Sequence, residues 1–225
     1  MKFPFFKFQK KDDPEFWKRY CSYFKTKQSK TIKDTRFVVF DTETTGFDFN
    51  EDRILCIGAV AVKENKILIK DSLETYLKQS VFKAETVKIH GILKSEKVQK
   101  LEEIEALIRF LDYIKGSVLV AHHAGFDIGI INKALKRHSL GKLKNDVLDT
   151  GILFKRSKHI VNIIDPNKNY TLDEIAIELK ITPKDRHTAA GDAFITALSF
   201  LKILPKLNKN GKMKYKDLFT NPINY

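Results

Sequence analysis

Cysteine is scarce in this chain. Only Cys21 and Cys56 occur among its 225 residues, and they show neither the spacing of a zinc site nor a disulfide framework. Cys56 lies in the apolar stretch RILCIGAVAV, where a free thiol packs as a small hydrophobic group. The cysteine content therefore argues against a disulfide scaffold and against a structural zinc domain.

Long hydrophobic runs are also missing. No apolar stretch approaches the roughly 20 residues that a membrane-spanning helix needs. The N-terminal sequence MKFPFFKFQKK has the positive charge and the aromatic residues of a secretion signal, but Lys7 and Lys10 interrupt its apolar region. We therefore expect a cytoplasmic protein without a membrane partner.

Acidic residues are rare at the two ends of the chain. Residues 1–36 carry a net charge of +7 and residues 201–225 carry +5, which leaves +1 of the total +13 for residues 37–200. An excess of Lys and Arg at the ends favours a polyanionic partner, and a nucleic acid before a membrane. Solubility alone explains the same charge equally well, so both interpretations stay open.

The order of apolar segments predicts an α/β domain. Phe37–Phe40 predict a buried strand, and residues 53–77 predict a hairpin that turns at Asn65. A helix with Asp13 as its cap and Pro14 as its first residue is expected to dock on the core. The hairpin requires one antiparallel strand among otherwise parallel ones, so we predict a mixed, mostly parallel central sheet flanked by helices.

The later segments alternate between helix and strand. Residues 98–115 have the apolar period of a helix, and Gly116 is the expected stop signal. The elements predicted after it are a strand at 117–121, a helix at 125–140, a strand end at 145–150, a helix at 170–181 with Thr171 near its cap, and a last helix at 186–204.

Two acidic residues end the strand that begins at Phe37. In FVVFDTETTGF, Asp41 and Glu43 are two residues apart, so both side chains emerge on one face of the strand at its C-terminal end. Two carboxylates held that close repel each other and raise each other's pKa unless a cation lies between them. They are therefore either splayed into solvent or hold a cation.

Further acidic residues follow in two later segments. The strand SVLVA ends in HHAGFD, which places Asp127 at the same edge of the sheet as Asp41 and Glu43. In RHTAAGDAF, Asp192 lies among small apolar residues, where a carboxylate is costly to bury unless it is paired. His187 is five residues earlier and would not share a helix face with Asp192, so we place it on the preceding loop.

These acidic residues form a set of hard oxygen ligands. With no cysteine and no excess of basic partners nearby, the set suits Mg²⁺ or Mn²⁺. Two such ions about 3.5 to 4 Å apart serve phosphodiester hydrolysis, in which one activates the attacking water and the other stabilises the leaving oxygen. His187 is the candidate general base, because an imidazole with a pKa of about 6.5 accepts a proton near neutral pH.

Three segments closely resemble the motifs of a known family. DTETTG, AHHAGFD and HTAAGD are similar, in order and spacing, to the three motifs of the DEDDh 3′-5′ exonucleases, the family of the DNA polymerase III epsilon proofreading subunit and RNase T. The resemblance covers residues 36–204 and includes DRILCIGAV, IHGI and VLDT. It implies the ribonuclease H-like α/β fold and two Mg²⁺ or Mn²⁺ ions. It also assigns the metal-site acids to Asp41, Glu43, Asp127 and Asp192, and the catalytic histidine to His187.

The resemblance extends to the expected substrate pocket. The residues that would line the pocket of the terminal nucleotide are Thr42, Thr44, Thr45, Gly46 and Phe47. The Phe47 ring could stack on a base, although packing on the core explains that residue equally well. His90 matches a family position beside the substrate. His123 stands where the family usually has Asn, whereas His122 is expected to be structural.

The predicted function is a 3′-5′ exonuclease that releases nucleoside 5′-monophosphates from DNA, in proofreading or repair. Its expected partners are single-stranded DNA with a free 3′ end and a polymerase. An RNA-trimming exoribonuclease shares the same motifs and stays an alternative, as does a nucleic-acid-binding scaffold that lost the chemistry. The chain is expected to divide into a basic, aromatic N-terminal extension (1–36), an exonuclease domain (37–204) and a basic C-terminal tail (205–225).

Overall fold

In the part of the chain that the structure describes, six strands and six α-helices follow one another. The computed structural model describes residues 13–25, 31–79, 99–158 and 168–220. The strands are β1 (Phe37–Thr44), β2 (Ile54–Lys63), β3 (Lys66–Leu77), β4 (Lys100–Leu101), β5 (Val118–Ala121) and β6 (Val147–Asp149). The helices are α1 (Glu15–Ser22), α2 (Glu103–Ile114), α3 (Gly125–Arg137), α4 (Thr150–Lys158), α5 (Leu172–Glu178) and α6 (Ala189–Leu207), and a 3-10 helix spans Tyr215–Phe219.

The strands form one mixed sheet in the order β4-β3-β2-β1-β5-β6. β1 pairs antiparallel with β2 and parallel with β5, β2 pairs antiparallel with β3, and the pairs β3–β4 and β5–β6 are parallel. Among the described strands, therefore, β2 alone runs against the others. The predicted sheet, mostly parallel with one antiparallel strand, is confirmed.

The turn between β2 and β3 matches the predicted hairpin. Glu64 and Asn65 both have left-handed backbones, with φ values of 52° and 58°. Two such residues form the hairpin turn whose twist fits that of the flanking strands. The hairpin at Asn65 is thus confirmed, and Glu64 shares its conformation.

The strand β1 divides the hydrophobic core into two layers. Val38 and Phe40 pack on one face with α1, α2 and α3, whereas Phe37 and Val39 pack on the other with α4, α5 and α6. A central strand buried on both faces reads as a continuous apolar run, because neither face meets water. This is why four large apolar residues precede Asp41 without interruption.

The N-terminal helix docks on the first of these layers, as predicted. Trp17, Tyr20 and Cys21 of α1 are buried, and both cysteines of the chain are free. The helix starts one residue later than expected: Pro14 is the cap, and Asp13 is not. Residues 1–12 lie outside the described part of the chain.

Two boundaries of α2 differ from the prediction. The helix begins at Glu103, because Lys100 and Leu101 instead form β4, which pairs with β3. It ends at Ile114, and Lys115 rather than Gly116 takes the left-handed conformation, with φ 45°. The predicted cap of α5 is correct, because the Thr171 hydroxyl accepts a hydrogen bond from the Glu174 amide at 3.2 Å.

The C-terminal segment packs against α4. The helix α6 continues through Pro205, and Leu218 of the 3-10 helix is buried. Arg156 donates hydrogen bonds to the carbonyl oxygens of Asp217 and Leu218, both at 2.6 Å. These contacts attach residues 205–220 to the domain. The division of the chain after residues 36 and 204 stays a prediction.

No helix in the described ranges combines the length and the apolar character needed to cross a membrane.

Candidate active site

Three carboxylates meet at the C-terminal end of β1. Asp41 and Glu43 lie on β1, and Asp192 lies in the first turn of α6. One carboxylate oxygen from each residue lies within 4.8 Å of those from the other two. Asp192 is 8% exposed, and the two residues of β1 are half-buried. The structure thus brings together three of the four acids that the sequence assigned to a metal site.

A glycine in β2 makes this approach possible. Gly58 pairs with Asp41 in the sheet, and α6 begins directly above it. A Cβ atom on Gly58 would lie 2.2 Å from the carbonyl carbon of Ala189 and 2.3 Å from the amide nitrogen of Ala190. Because Gly58 has no side chain, the first turn of α6 rests on β2 and carries Asp192 over β1. A lone glycine inside an apolar strand is a signal for such close backbone contact, so the sequence did contain a sign of this approach.

The fourth acid, Asp127, is held beside the cluster. It is 4% exposed in the first turn of α3, and its Oδ1 accepts hydrogen bonds from the Thr42 amide at 3.0 Å and the Thr42 hydroxyl at 2.7 Å. Both donors of Thr42 are thus engaged by Asp127. Thr42 therefore anchors α3 to β1. The contact with a terminal nucleotide that was expected of Thr42 stays a prediction.

The carboxylates are costly to ionise together. Burial raises the pKa of Asp41 well above its usual range, and the charges of Asp127, Asp192 and Glu43 add to this, while Arg186 opposes it. Burial, followed by the charge of Asp192, raises the pKa of Glu43 to about 7. Burial also raises the pKa of Asp127 to about 7, against the hydrogen bonds from Thr42. A divalent cation would relieve this repulsion, and closely spaced carboxylate oxygens are the donors that Mg²⁺ and Mn²⁺ prefer.

His187 lies on the loop that precedes α6, as predicted. Its side chain is exposed, and its backbone is left-handed, with φ 62°. Thr188 caps α6, because its hydroxyl accepts a hydrogen bond from the Gly191 amide at 3.1 Å. The helix therefore begins at Ala189, and the His187 imidazole lies on the loop rather than on a helix face.

Arg186 brings a basic side chain to the acidic cluster. One arginine is not an excess over four acids, but its contact with the cluster was not predicted: Arg186 Nη1 donates to Asp192 Oδ1. Its Nε and Nη2 donate to Asp173 Oδ1 and Oδ2 at 2.7 and 3.0 Å. The position of this Arg directly before His187 was the available signal, and it was overlooked because it lies outside the three motifs.

The comparison with protein families bears on these residues. A family model described as an exonuclease matches residues 38–200, which include the three carboxylates, Asp127 and His187. The chain belongs to the exonuclease family. The resemblance to the DEDDh exonucleases that the three motifs indicated is confirmed.

The exonuclease region is also similar to parts of larger proteins. It is 37% identical over 189 residues to the DNA polymerase III PolC-type of Caldanaerobacter subterraneus subsp. tengcongensis, covering 83% of this chain and 13% of that protein. It is 33% identical over 189 residues to the DNA polymerase III subunit epsilon-like protein of Rhodobacter capsulatus, covering 82% of this chain and 26% of that protein. The chain therefore spans about a quarter or less of the length of these relatives.

A solved exonuclease shares the fold. Exonuclease I of E. coli, in complex with a dT13 oligonucleotide, superposes with a TM-score of 0.65 at 16% identity, over 79% of this chain and 42% of that one. At this identity the likeness concerns the fold alone. The predicted ribonuclease H-like fold is thereby confirmed.

The loop after the first exonuclease motif is held by its own hydrogen bonds. The Thr44 hydroxyl donates to the Gly46 carbonyl oxygen, and the Thr45 hydroxyl donates to Asp52 Oδ1, both at 2.7 Å. A Cβ atom on Gly46 would lie 2.4 Å from the Asp52 carboxylate, so glycine leaves room for that anchor. Thr44, Thr45 and Gly46 thus shape the loop that presents Phe47.

Phe47 is the exposed aromatic residue of this loop. Its side chain is 78% exposed, and its ring centroid lies 5.6 Å from that of Phe126, which lies 5.5 Å from that of Phe49. Packing of Phe47 in the core, the alternative considered from the sequence, is therefore wrong. The ring is thus open to solvent and packs against Phe126, which directly precedes Asp127 in the chain.

The two adjacent histidines of the exonuclease domain have different environments. His122 is partly buried, its Nδ1 lies 3.1 Å from the Thr150 hydroxyl, and burial lowers its pKa to about 4. It is therefore neutral at physiological pH, in agreement with the structural role predicted for it. His123 is exposed, with its ring centroid 4.3 Å from that of His122 and a φ of 54°. His90 and the segment IHGI lie outside the described residues.

Proposed function

We propose that this chain is a metal-dependent 3′-5′ exonuclease that hydrolyses DNA from its 3′ end and releases nucleoside 5′-monophosphates. The observation that carries the proposal is the cluster of Asp41, Glu43 and Asp192, in which one carboxylate oxygen of each residue lies within 4.8 Å of those of the other two. The cluster lies within residues 38–200, which match the exonuclease family, and this supports the proposal that it is the catalytic site.

The carboxylates would hold the metal ions. Asp41, Glu43 and Asp192 supply the clustered oxygen donors, and Asp127, fixed by Thr42, adds a fourth acid beside them. Two Mg²⁺ or Mn²⁺ ions bound there would supply the positive charge that stabilises the developing oxyanions of phosphodiester hydrolysis.

The remaining steps fall to side chains of the chain itself. His187 accepts the proton of the attacking water in this proposal, because its imidazole is exposed on the loop before α6 and an imidazole is the commonest general base of enzymes. Phe47 stacks on a base near the 3′ end, which its exposed ring permits. His123, in place of the usual Asn, lies exposed on the same edge and is proposed to contact the substrate.

The proposed partners follow from charge and from the relatives. Single-stranded DNA fits the basic ends of the chain and is the ligand in the structure of exonuclease I with dT13. A polymerase partner is proposed because the similar regions belong to DNA polymerase III proteins. A cytoplasmic location is part of the same proposal.

Product analysis tests this function. A single-stranded DNA and an RNA of the same sequence, each labelled at the 5′ end or at the 3′ end, are incubated with Mg²⁺. We expect 5′-labelled DNA to shorten gradually and 3′-labelled DNA to release a labelled mononucleotide at once. Asp41→Asn removes a cluster charge, and Asp185→Asn, on the exposed loop, is the matched control. Shortening from the 5′ end, or internal cuts, would refute the proposed direction, and faster hydrolysis of RNA would favour the exoribonuclease alternative.

A further inference from the structure

Arg186 carries a positive charge into the acidic cluster. Its Nη1 contacts Oδ1 of Asp192, one of the three clustered carboxylates, and its side chain is only 19% exposed. The opposite edge of the guanidinium forms a two-bond ion pair with Asp173. The charge is thus held between an acid of the site and an acid on the neighbouring helix α5.

The charge of Arg186 acts on the other carboxylates as well. It lowers the pKa of both Asp41 and Glu43, against the effect of their burial. A cation at this place does what a bound metal ion would do, since it compensates carboxylates that repel one another. One oxygen of Asp192 is engaged by the guanidinium, so a metal ion that binds this oxygen meets a positive charge already in contact with it.

We propose that Arg186 is an internal counter-ion that substitutes for the metal at Asp192 and competes with the divalent ion for this carboxylate. Asp173 is its second anchor, which keeps the guanidinium beside the site when Asp192 is released. The balance between Asp173 and Asp192 then sets the metal concentration at which the site fills. The inference rests on the proposed metal site and is independent of the direction of hydrolysis and of the substrate.

Two substitutions should change metal affinity in opposite directions. Arg186→Met removes the competing charge, so Mn²⁺ should bind roughly tenfold more tightly or better, because a unit charge in contact with a ligand is lost. Asp173→Asn removes the second anchor and leaves Asp192 as the stronger partner of Arg186, so Mn²⁺ should bind several-fold more weakly. A supporting ion pair that merely positions Asp192 predicts weaker binding for both variants.

The experiment is a Mn²⁺ titration by calorimetry without nucleic acid. Lys184→Met is the matched control, because Lys184 is exposed on the same loop and its loss changes the net charge equally. If the wild type binds Mn²⁺ normally and Arg186→Met binds it equally or more weakly, the proposed competition is wrong, while the proposed metal-dependent function stands. If the wild-type protein binds no Mn²⁺, the proposed metal-dependent function fails, and the inference fails with it.

A stability measurement covers the case in which Arg186→Met disturbs the loop. In EDTA this variant should melt at a lower temperature than the wild type, because the cluster has lost its cation, and Mn²⁺ should raise its melting temperature by a larger increment. Arg186→Lys retains the charge and should behave more like the wild type in both measurements. Equal Mn²⁺ increments for wild type, Arg186→Met and Arg186→Lys would contradict the proposed competition.

Discussion

The contact between β2 and α6 makes Gly58 a test of how the site is assembled. A methyl group at this position would lie 2.2 Å from the backbone carbonyl carbon of Ala189, whereas ordinary contacts begin at about 3.4 Å. Backbone atoms cannot rotate away as the end of a side chain can, so α6 must move from β2 by about 1.2 Å. Asp192 lies in the first turn of α6 and would move with it.

The expected effect of Gly58→Ala is larger on catalysis than on stability. Overpacking of this size costs about 1–3 kcal/mol of unfolding free energy. A displacement of about 1 Å in a catalytic geometry can reduce the rate by roughly 10²-fold. We expect Gly58→Ala to fold, to hydrolyse 5′-labelled single-stranded DNA roughly 10²-fold more slowly than the wild type, and to bind Mn²⁺ more weakly.

Gly125→Ala is the control for this substitution. Gly125 begins α3 two residues before Asp127, and a Cβ atom there would have no neighbour within 4 Å. Its activity should stay close to that of the wild type. If Gly58→Ala also keeps wild-type rates and Mn²⁺ affinity, the close approach of α6 to β2 does not determine the site geometry, and the reasoning is wrong.

Four further predictions concern the charges of the site and of the surface. Asp41→Ala should abolish hydrolysis while leaving the metal-free fold as stable or slightly more stable, since a repelling charge is removed; melting in EDTA and a rate assay with Mg²⁺ check this. His187→Ala should lower the turnover rate by roughly 10²- to 10⁴-fold without weakening Mn²⁺ binding, and lost metal affinity would make His187 a ligand instead. In EDTA, the free energy of unfolding should fall as the pH rises from about 4.5 to about 7, because the folded state raises the pKa of Glu43 and so binds its proton more tightly than the unfolded state does. Denaturation at pH 5 and at pH 8 measures this fall. With excess Mn²⁺ in place of EDTA, the dependence of the unfolding free energy on pH should reverse. Replacing the exposed Lys206, Lys209 and Lys212 by Gln should weaken binding of long single strands and flatten its salt dependence, while hydrolysis of a dinucleotide is unchanged; equal salt slopes would show that these lysines are only a solvated surface. Deletion is avoided because Leu218 is buried.

Much of the fold was predictable because its signals are local. The apolar run of β1, the turn at Asn65 and the cap at Thr171 each depend on a few neighbouring residues, and all three appear in the structure. The boundaries of α2 were less predictable. Lys100 and Leu101, which the helical period had included in this helix, instead pair with β3, so a sheet contact with a partner distant in sequence overrode the local period.

The acidic residues of the site could be predicted from the sequence, whereas the side chains that contact them could not. The motif residues Asp41, Glu43 and Asp192 meet as expected. The contacts of Arg186 with Asp173 and Asp192 depend on where α5 lies relative to α6, which no spacing in the sequence indicates. The same holds for Thr42, whose amide and hydroxyl both donate to Asp127 on another element.

The docked helix α1 gives the protein an optical reporter. Trp17 is the single tryptophan of the chain, is 4% exposed, and lies against Gly141, where a Cβ atom would be 3.0 Å from its ring. Gly141 follows the C-terminal end of α3, whereas Asp127 lies in the first turn of that helix, and about 15 Å of helix rise separates Asp127 from the last helical residue, Arg137. Intrinsic fluorescence will therefore register detachment of the N-terminal helix as a red shift, while remaining insensitive to events at the carboxylates. Emission and metal binding can thus be followed in one sample as separate signals from the two ends of the domain.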